Sequence, residues 1–148
     1  MRAILSAGIL AVSVFIATAS SAEKAPTPPP PYVIIVNTNN ATPSATRKFI
    51  GDAFLKKTTR WPNGDVIRPV DQGPNSAVRR RFTEDILNRS VAAVQSYWQQ
   101  IVFSGRDLPP PELGSNDEIV KFVSTHDGAI GYVEPAAAVT GVKVLVLE

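Results

Sequence analysis

The chain has 148 residues, 44% of them hydrophobic and 19% charged, with 13 prolines, nine glycines and no cysteine. One ordinary domain fits that length, and the lack of cysteine excludes a disulfide framework, a thiol nucleophile and any Cys-ligated zinc or iron–sulfur centre. A single histidine, His126, rules out a His-only metal cluster and makes any Ser-His-Asp triad depend on that residue, while a formal charge of +2 predicts no nucleic-acid partner. Neither an enzyme nor a cofactor is indicated.

Residues 1–22 open with Arg2, continue as an apolar or small run from Ala3 to Ala19, and close on Ser20, Ser21 and Ala22 before the first acid, Glu23. A positive start, an apolar core and small residues before a cut after Ala22 form a signal-peptide pattern, with Ala19 as an earlier alternative cut. A membrane anchor is the competing reading, but Ser6, Gly8 and Ser13 interrupt the core and no basic stop-transfer flank follows. The expectation is an exported, periplasmic and nearly neutral protein, with no stable membrane insertion once the signal is removed. Residues 23–31 (EKAPTPPPP) carry no large apolar side chain and read as a short polyproline II leader to a single domain over 32–148.

Residues 32–36 (YVIIV) form a β-branched and aromatic run between prolines and the turn formers Asn37, Asn39 and Asn40, which predicts a buried strand. Thr42 and Pro43 then supply a cap and a first-turn proline, and Phe49, Ile50, Ala53 and Phe54 recur at helical spacing, predicting a helix over about 44–57. Residues 61–65 make a turn, 66–70 (VIRPV) a short strand whose Pro69 places it near a strand end or at a sheet edge, and 71–75 a loop. From Ser76, the positions Val78, Phe82, Ile86 and Leu87 share one face of an amphipathic helix. Ser90 caps a further helix whose buried stripe is Val91, Val94, Tyr97, Trp98 and Ile101, and Gly105 ends it.

Residues 108–113, with three consecutive prolines, read as a rigid connector. Ser115 and Glu118 match a capping box for a helix to about Ser124, and 129–133 (AIGYV) and 142–147 (VKVLVL) read as strands. Strands separated by helices give an α/β fold: a small, mainly parallel sheet flanked by helices on both faces.

Three segments then share a pattern: 49–72 (FIGDAFLKKTTRWPNGDVIRPVDQ), 96–105 (SYWQQIVFSG) and 126–136 (HDGAIGYVEPA). They resemble the phosphate-binding-protein-like branch of the type 2 periplasmic binding proteins, in particular its second lobe. The family elements are an IFLGK-like helix end, a tryptophan, a glycine turn into an I-x-P/V-V strand, and a G-A-I-G-Y-V strand. Their counterparts are residues 50–56, Trp61, 64–70 and 128–133. The resemblance runs from Tyr32 to Glu148 and implies a solute-binding protein of an ABC transporter, with phosphate as the family ligand held between two lobes at helix N-termini.

Two departures qualify that implication. The length accounts for one lobe where the family has two. The family's phosphate loop, roughly R-x-x-G-S-G-T, aligns on Phe82 so that Gln72, Asn75, Ser76, Ala77 and Val78 stand at its Arg, Gly, Ser, Gly and Thr, and only the serine is kept.

The candidate oxyanion site is therefore the start of the helix after Ser76. Its donors are the amides of Ser76, Ala77 and Val78, with Arg79 swinging over the anion and Gln72 or Asn75 donating from the loop. The competing reading makes Asn75 or Ser76 a plain cap, with Arg79, Arg80 and Arg81 solvated or paired with Glu84 and Asp85. Trp61, Tyr97 and Trp98 are expected in the core, His126 and Asp127 in a turn, and Asp117 and Glu118 at a helix start rather than on a metal.

Two functions follow. One is binding of phosphate or another small oxyanion, with an ABC permease as partner. The other is a periplasmic interaction module that has lost its ligand and works through protein contacts or self-association.

Overall fold

A computed structural model describes residues 30–148. The signal peptide expected at 1–22 and residues 23–29 of the leader lie outside the described residues.

The core is a four-stranded sheet in the order β3-β6-β1-β7. Its central strands are β1 (Val33–Asn37) and β6 (Ala129–Val133), flanked by β3 (Arg68–Pro69) and β7 (Val142–Val144). Alternation along the two central strands explains why both faces are covered, since successive side chains point to opposite sides. Ile34, Val36, Ile130 and Tyr132 face one layer, which holds Ile50, Ala53 and Phe54 of α1 (Arg47–Phe54) and Val78, Phe82 and Ile86 of α2 (Ala77–Ile86). Ile35, Ala129 and Val133 face the other, against Ile119 and Val123 of α4 (Asn116–Thr125). Gly131 lets α4 come close: a Cβ there would stand 2.8 Å from Ile119 Cγ2. Helix α3 (Val91–Phe103) packs outside α2 through Val94, Trp98 and Ile101.

The α/β class and the helix-flanked sheet follow the sequence reading, but the sheet is mixed rather than mainly parallel. Strand β1 is antiparallel to both neighbours, β6 and β7, and only β3 runs parallel to β6 in this sheet. An alternating strand and helix order implies parallel neighbours only when successive strands sit side by side. Here β1 pairs with strands from the far end of the chain, so the inference fails at the strand with the most partners.

Local boundaries shift for related reasons. Thr46, not Thr42, caps α1, because Ser44–Ala45 (β2) pairs in parallel with Val146–Leu147 (β8). The strand expected over 142–147 breaks at Leu145, whose side chain turns into the core. Of 66–70, only Arg68–Pro69 remains in the sheet, while Val66 bridges Arg60. The expected loop and connector each contain a two-residue strand, β4 (Asp71–Gln72) and β5 (Glu112–Leu113), and these pair in parallel.

Candidate functional site

Strand β4 leaves the end of β3 and carries Gln72, which is buried and organises this end of the sheet. Its Nε2 donates to the Tyr132 carbonyl at 2.9 Å and to Asn116 Oδ1 at 3.1 Å, while its Oε1 accepts from Ser76 Oγ at 2.7 Å. Ser76 is the N-cap of α2, accepting from the Arg79 amide at 3.2 Å, and Asn116 is the first residue of α4. One carboxamide therefore ties together the N-terminal ends of two helices that lie on opposite faces of the sheet.

The first amides of a helix have no intrahelical acceptor, and the helix dipole places partial positive charge there. Ser76 takes the Arg79 amide, which leaves Ala77 and Val78 as the donors of that first turn. Ala77 is exposed, Val78 is buried, and Asn75 is exposed in the preceding turn, which the Ser76 amide closes on the Gly73 carbonyl at 3.0 Å.

Arg79 behaves differently from an arginine free to swing over an anion. Its side chain is 3% exposed; Nη1 donates to the Gln72 carbonyl and to Glu112 Oε1, each at 2.7 Å, and Nη2 lies 3.3 Å from Asp71 Oδ2. Asp71 and Glu112 stand opposite each other across the β4–β5 pair, so the guanidinium bridges two carboxylates that would otherwise repel. The Tyr132 hydroxyl and the Gln72 amide both donate to Asp71 Oδ1. Burial pushes the Asp71 carboxyl above its ordinary value, against the pull of Arg79. Burial and then the Asp71 charge push the Tyr132 hydroxyl well above the usual tyrosine range. Counting Arg79, Asp71 and Glu112 together, this side of the site carries one net negative charge.

Arg80 and Arg81 are exposed, and Asp85 pairs with Arg47 at 2.6 Å rather than with an arginine of its own helix. Trp61 and Trp98 are buried, and Trp61 Nε1 donates to the Gly128 carbonyl at 2.9 Å. Half-buried Tyr97 donates to the Leu55 carbonyl at 3.1 Å. His126 stacks on Phe122 at 4.1 Å with Nδ1 2.8 Å from the Phe122 carbonyl, and Asp127 accepts from Asn39, so the two do not form an acid/base pair. Ser115 caps α4, and Glu118 Oε2 accepts from the Gly114 amide at 2.7 Å, as expected for residues serving a helix start. Among the described residues no cluster of three metal-ligating side chains occurs, and no helix is long and apolar enough to cross a membrane.

Sequence reasoning singled out Gln72 and Ser76, but not Asn116, Tyr132, Asp71 and Glu112, which join the same hydrogen-bond network. Asn116 was visible only as a neighbour of the capping box, and Tyr132 only as a member of an apolar strand.

No family model matches the sequence. Solved structures do. An ABC-type phosphate transport receptor from Vibrio cholerae superposes with a TM-score of 0.63 at 18% identity, covering 78% of this chain and 45% of that one. A Clostridium perfringens protein solved with bound phosphate gives 0.62 at 19% identity over 78% and 44%. PstS from Borrelia burgdorferi gives 0.62 at 12% over 79% and 47%.

The chain has the fold of part of a phosphate ABC transporter substrate-binding protein. It spans less than half the length of each of these three structures. Identities of this size carry the fold alone, and the ligand has to be argued from the chemistry of the site.

Proposed function

We propose that the chain is an exported substrate-binding protein of the phosphate transport type, holding phosphate or another small oxyanion at the N-terminal end of α2. Residues 1–22 act as the signal peptide, 32–148 as the binding domain, and an ABC permease is the partner class. The observation that carries this reading is Gln72: its carboxamide joins Ser76 at the start of α2 to Asn116 at the start of α4, so the amide-bearing first turn of α2 is held in a fixed place. The amides of Ala77 and Val78 are the donors, Ser76 and Asn75 border them, and Arg79 supports them by gripping the Gln72 carbonyl. A fold neighbour solved with bound phosphate supports the ligand class. With Arg79 already paired, affinity rests on neutral donors, so binding weaker than that of a free arginine clamp is expected.

Ala77→Pro tests this with little risk to the fold. Proline is favoured at the first helical position, and Ser76 already has the extended backbone (φ −66°, ψ 129°) that a following proline requires. Calorimetric titration of phosphate at low salt is expected to give saturable heat in the parent and a loss of about tenfold in affinity in the variant, the worth of one charge-assisted hydrogen bond. No saturable heat at millimolar phosphate, or equal affinity in both proteins, would overturn the assignment.

A specific observation favours the second reading, an interaction module. Phe103 is 91% and Leu108 66% exposed at the end of α3, an unusual pair of large apolar groups in water. If that surface is the working one, Phe103→Glu abolishes concentration-dependent light scattering, and neither protein shows saturable phosphate heat.

A further inference from the structure

Between α3 and the proline segment before β5 lies a cleft of about 490 Å³ lined in part by Arg79 and Glu112. We propose that this cleft is a binding site for a small apolar carboxylate, with Glu112 as an internal carboxylate occupying the place on Arg79 that the ligand would take. It differs in place and ligand class from the α2 oxyanion site: neither Ser76 nor Gln72 lines it.

The two carboxylates on Arg79 are not equivalent. Asp71 is fixed, its side chain 13% exposed, with the Tyr132 hydroxyl and the Gln72 amide donating to its other oxygen. Glu112 is 41% exposed and touches the guanidinium through one oxygen, Oε1 at 2.7 Å. Moving Glu112 into water therefore sacrifices one charge-assisted hydrogen bond and little burial, keeps the Asp71 pair, and uncovers the Nη1 group. A guanidinium edge is matched by a planar oxyanion, which is the group Glu112 already supplies.

The rest of the cleft selects the remainder of the ligand. Gln95 and Gln99, one helical turn apart on α3, bring carboxamide donors to the same space, while Trp98, Val102 and Pro110 make its walls apolar. Its volume is that of a small-molecule site, and its lining sets an apolar wall against a polar one that holds Arg79. An aromatic or branched-chain carboxylate fits, whereas inorganic phosphate would leave the walls unused. The tethered Glu112 competes at high effective concentration, so the parent protein binds weakly and the apolar contacts must tip the exchange.

Phenylacetate and its cationic counterpart phenethylammonium are the probes, followed by proton–nitrogen correlation spectra of the full chain. The Trp98 indole reports on the cleft, and the Trp61 indole, bonded to the Gly128 carbonyl, serves as the internal control. Phenylacetate is expected to shift Trp98 and the Gln95 and Gln99 side-chain amides, and to leave Trp61 unmoved. Its affinity rises by at least about tenfold in Glu112→Gln, which removes the competing charge, and is lost in Val102→Glu on the exposed face of α3. Phosphate titrated into the same samples reads the Ala77 and Val78 amides separately, so failure of either site is distinguishable from failure of the other.

Equal phenylacetate affinity in the parent and Glu112→Gln would overturn the role of Glu112. Saturation by phenethylammonium that is lost in Glu112→Gln would make the cleft a cation site. No shift from either probe in either protein at about ten millimolar, a concentration that detects any affinity near 3 kcal/mol, would mean that the cleft binds neither.

Discussion

Arg79 is buried because two acids on paired strands need a common cation, and this fixes what its removal does. Arg79→Met leaves Asp71 and Glu112 facing each other without compensation, and is expected to lower stability by about 3–5 kcal/mol in urea unfolding. Adding Asp71→Asn to that variant should recover part of the loss, because the stranded buried charge is then gone. The residue type was legible in the sequence, as a cation in the first turn of a helix, but its partners were not. Glu112 lies 33 positions away, on a strand too short to carry a periodic signal.

Tyrosine supplies the second expectation at this scale. Tyr32 donates to Asp85 and Tyr132 to Asp71, and burial first, then the neighbouring acid, raises both hydroxyls above their ordinary value. A folded pKa above the unfolded one means that the stability held by the protonated hydroxyl is complete below the unfolded value of about 10 and is lost as pH rises beyond it. The melting temperature should therefore be nearly independent of tyrosine ionisation up to about pH 10 and fall above it. Melting followed by circular dichroism from neutral pH to pH 12 checks this, and Tyr132→Phe should flatten the alkaline fall although its starting stability is lower.

At the scale of elements, helix starts were the most readable features. Ser76, Ser90 and Ser115 each cap the helix expected of them, since a cap needs only a side-chain oxygen and an amide three residues on. The exception is α1. Thr42 and Pro43 form a sound local start signal, yet the backbone of Pro43 and Ala45 is taken by β8, and the helix begins after Thr46. Thr46→Ala should then cost about 1 kcal/mol and Thr42→Ala only a few tenths, measured as shifts of the urea midpoint. Strands β4 and β5 were illegible for the same reason in reverse: two-residue ladders are made by their partners, not by propensity.

For the molecule as a whole, the sequence carried the layers but not the order within them. The continuous apolar runs at 32–36 and 129–133 pointed to a sheet covered on both faces, but that α1 and α2 lie on one face and α4 on the other is seen only in the fold. The mixed sheet escaped because β1 is completed by β6 and β7, about a hundred residues later, and nothing local records which way a distant partner runs. That arrangement matters for function. It brings the Tyr132 carbonyl near the end of β6 beside Gln72 of β4, and thereby the starts of α2 and α4 to one place. Gln72 and Ser76 were readable as candidates; the glutamine's role as a tie between helices from opposite layers required the fold.

A small oxyanion held at these joined helix ends would mark the amides around it. A phosphate titration at low salt, followed amide by amide in proton–nitrogen spectra, tests it most directly. The account predicts saturable shifts centred on the Ala77 and Val78 amides, with smaller ones at Asn116 and the Gln72 side chain, weakening as salt is raised. Shifts scattered over exposed arginines and lysines without saturation, or none at the start of α2 at millimolar phosphate, would contradict it.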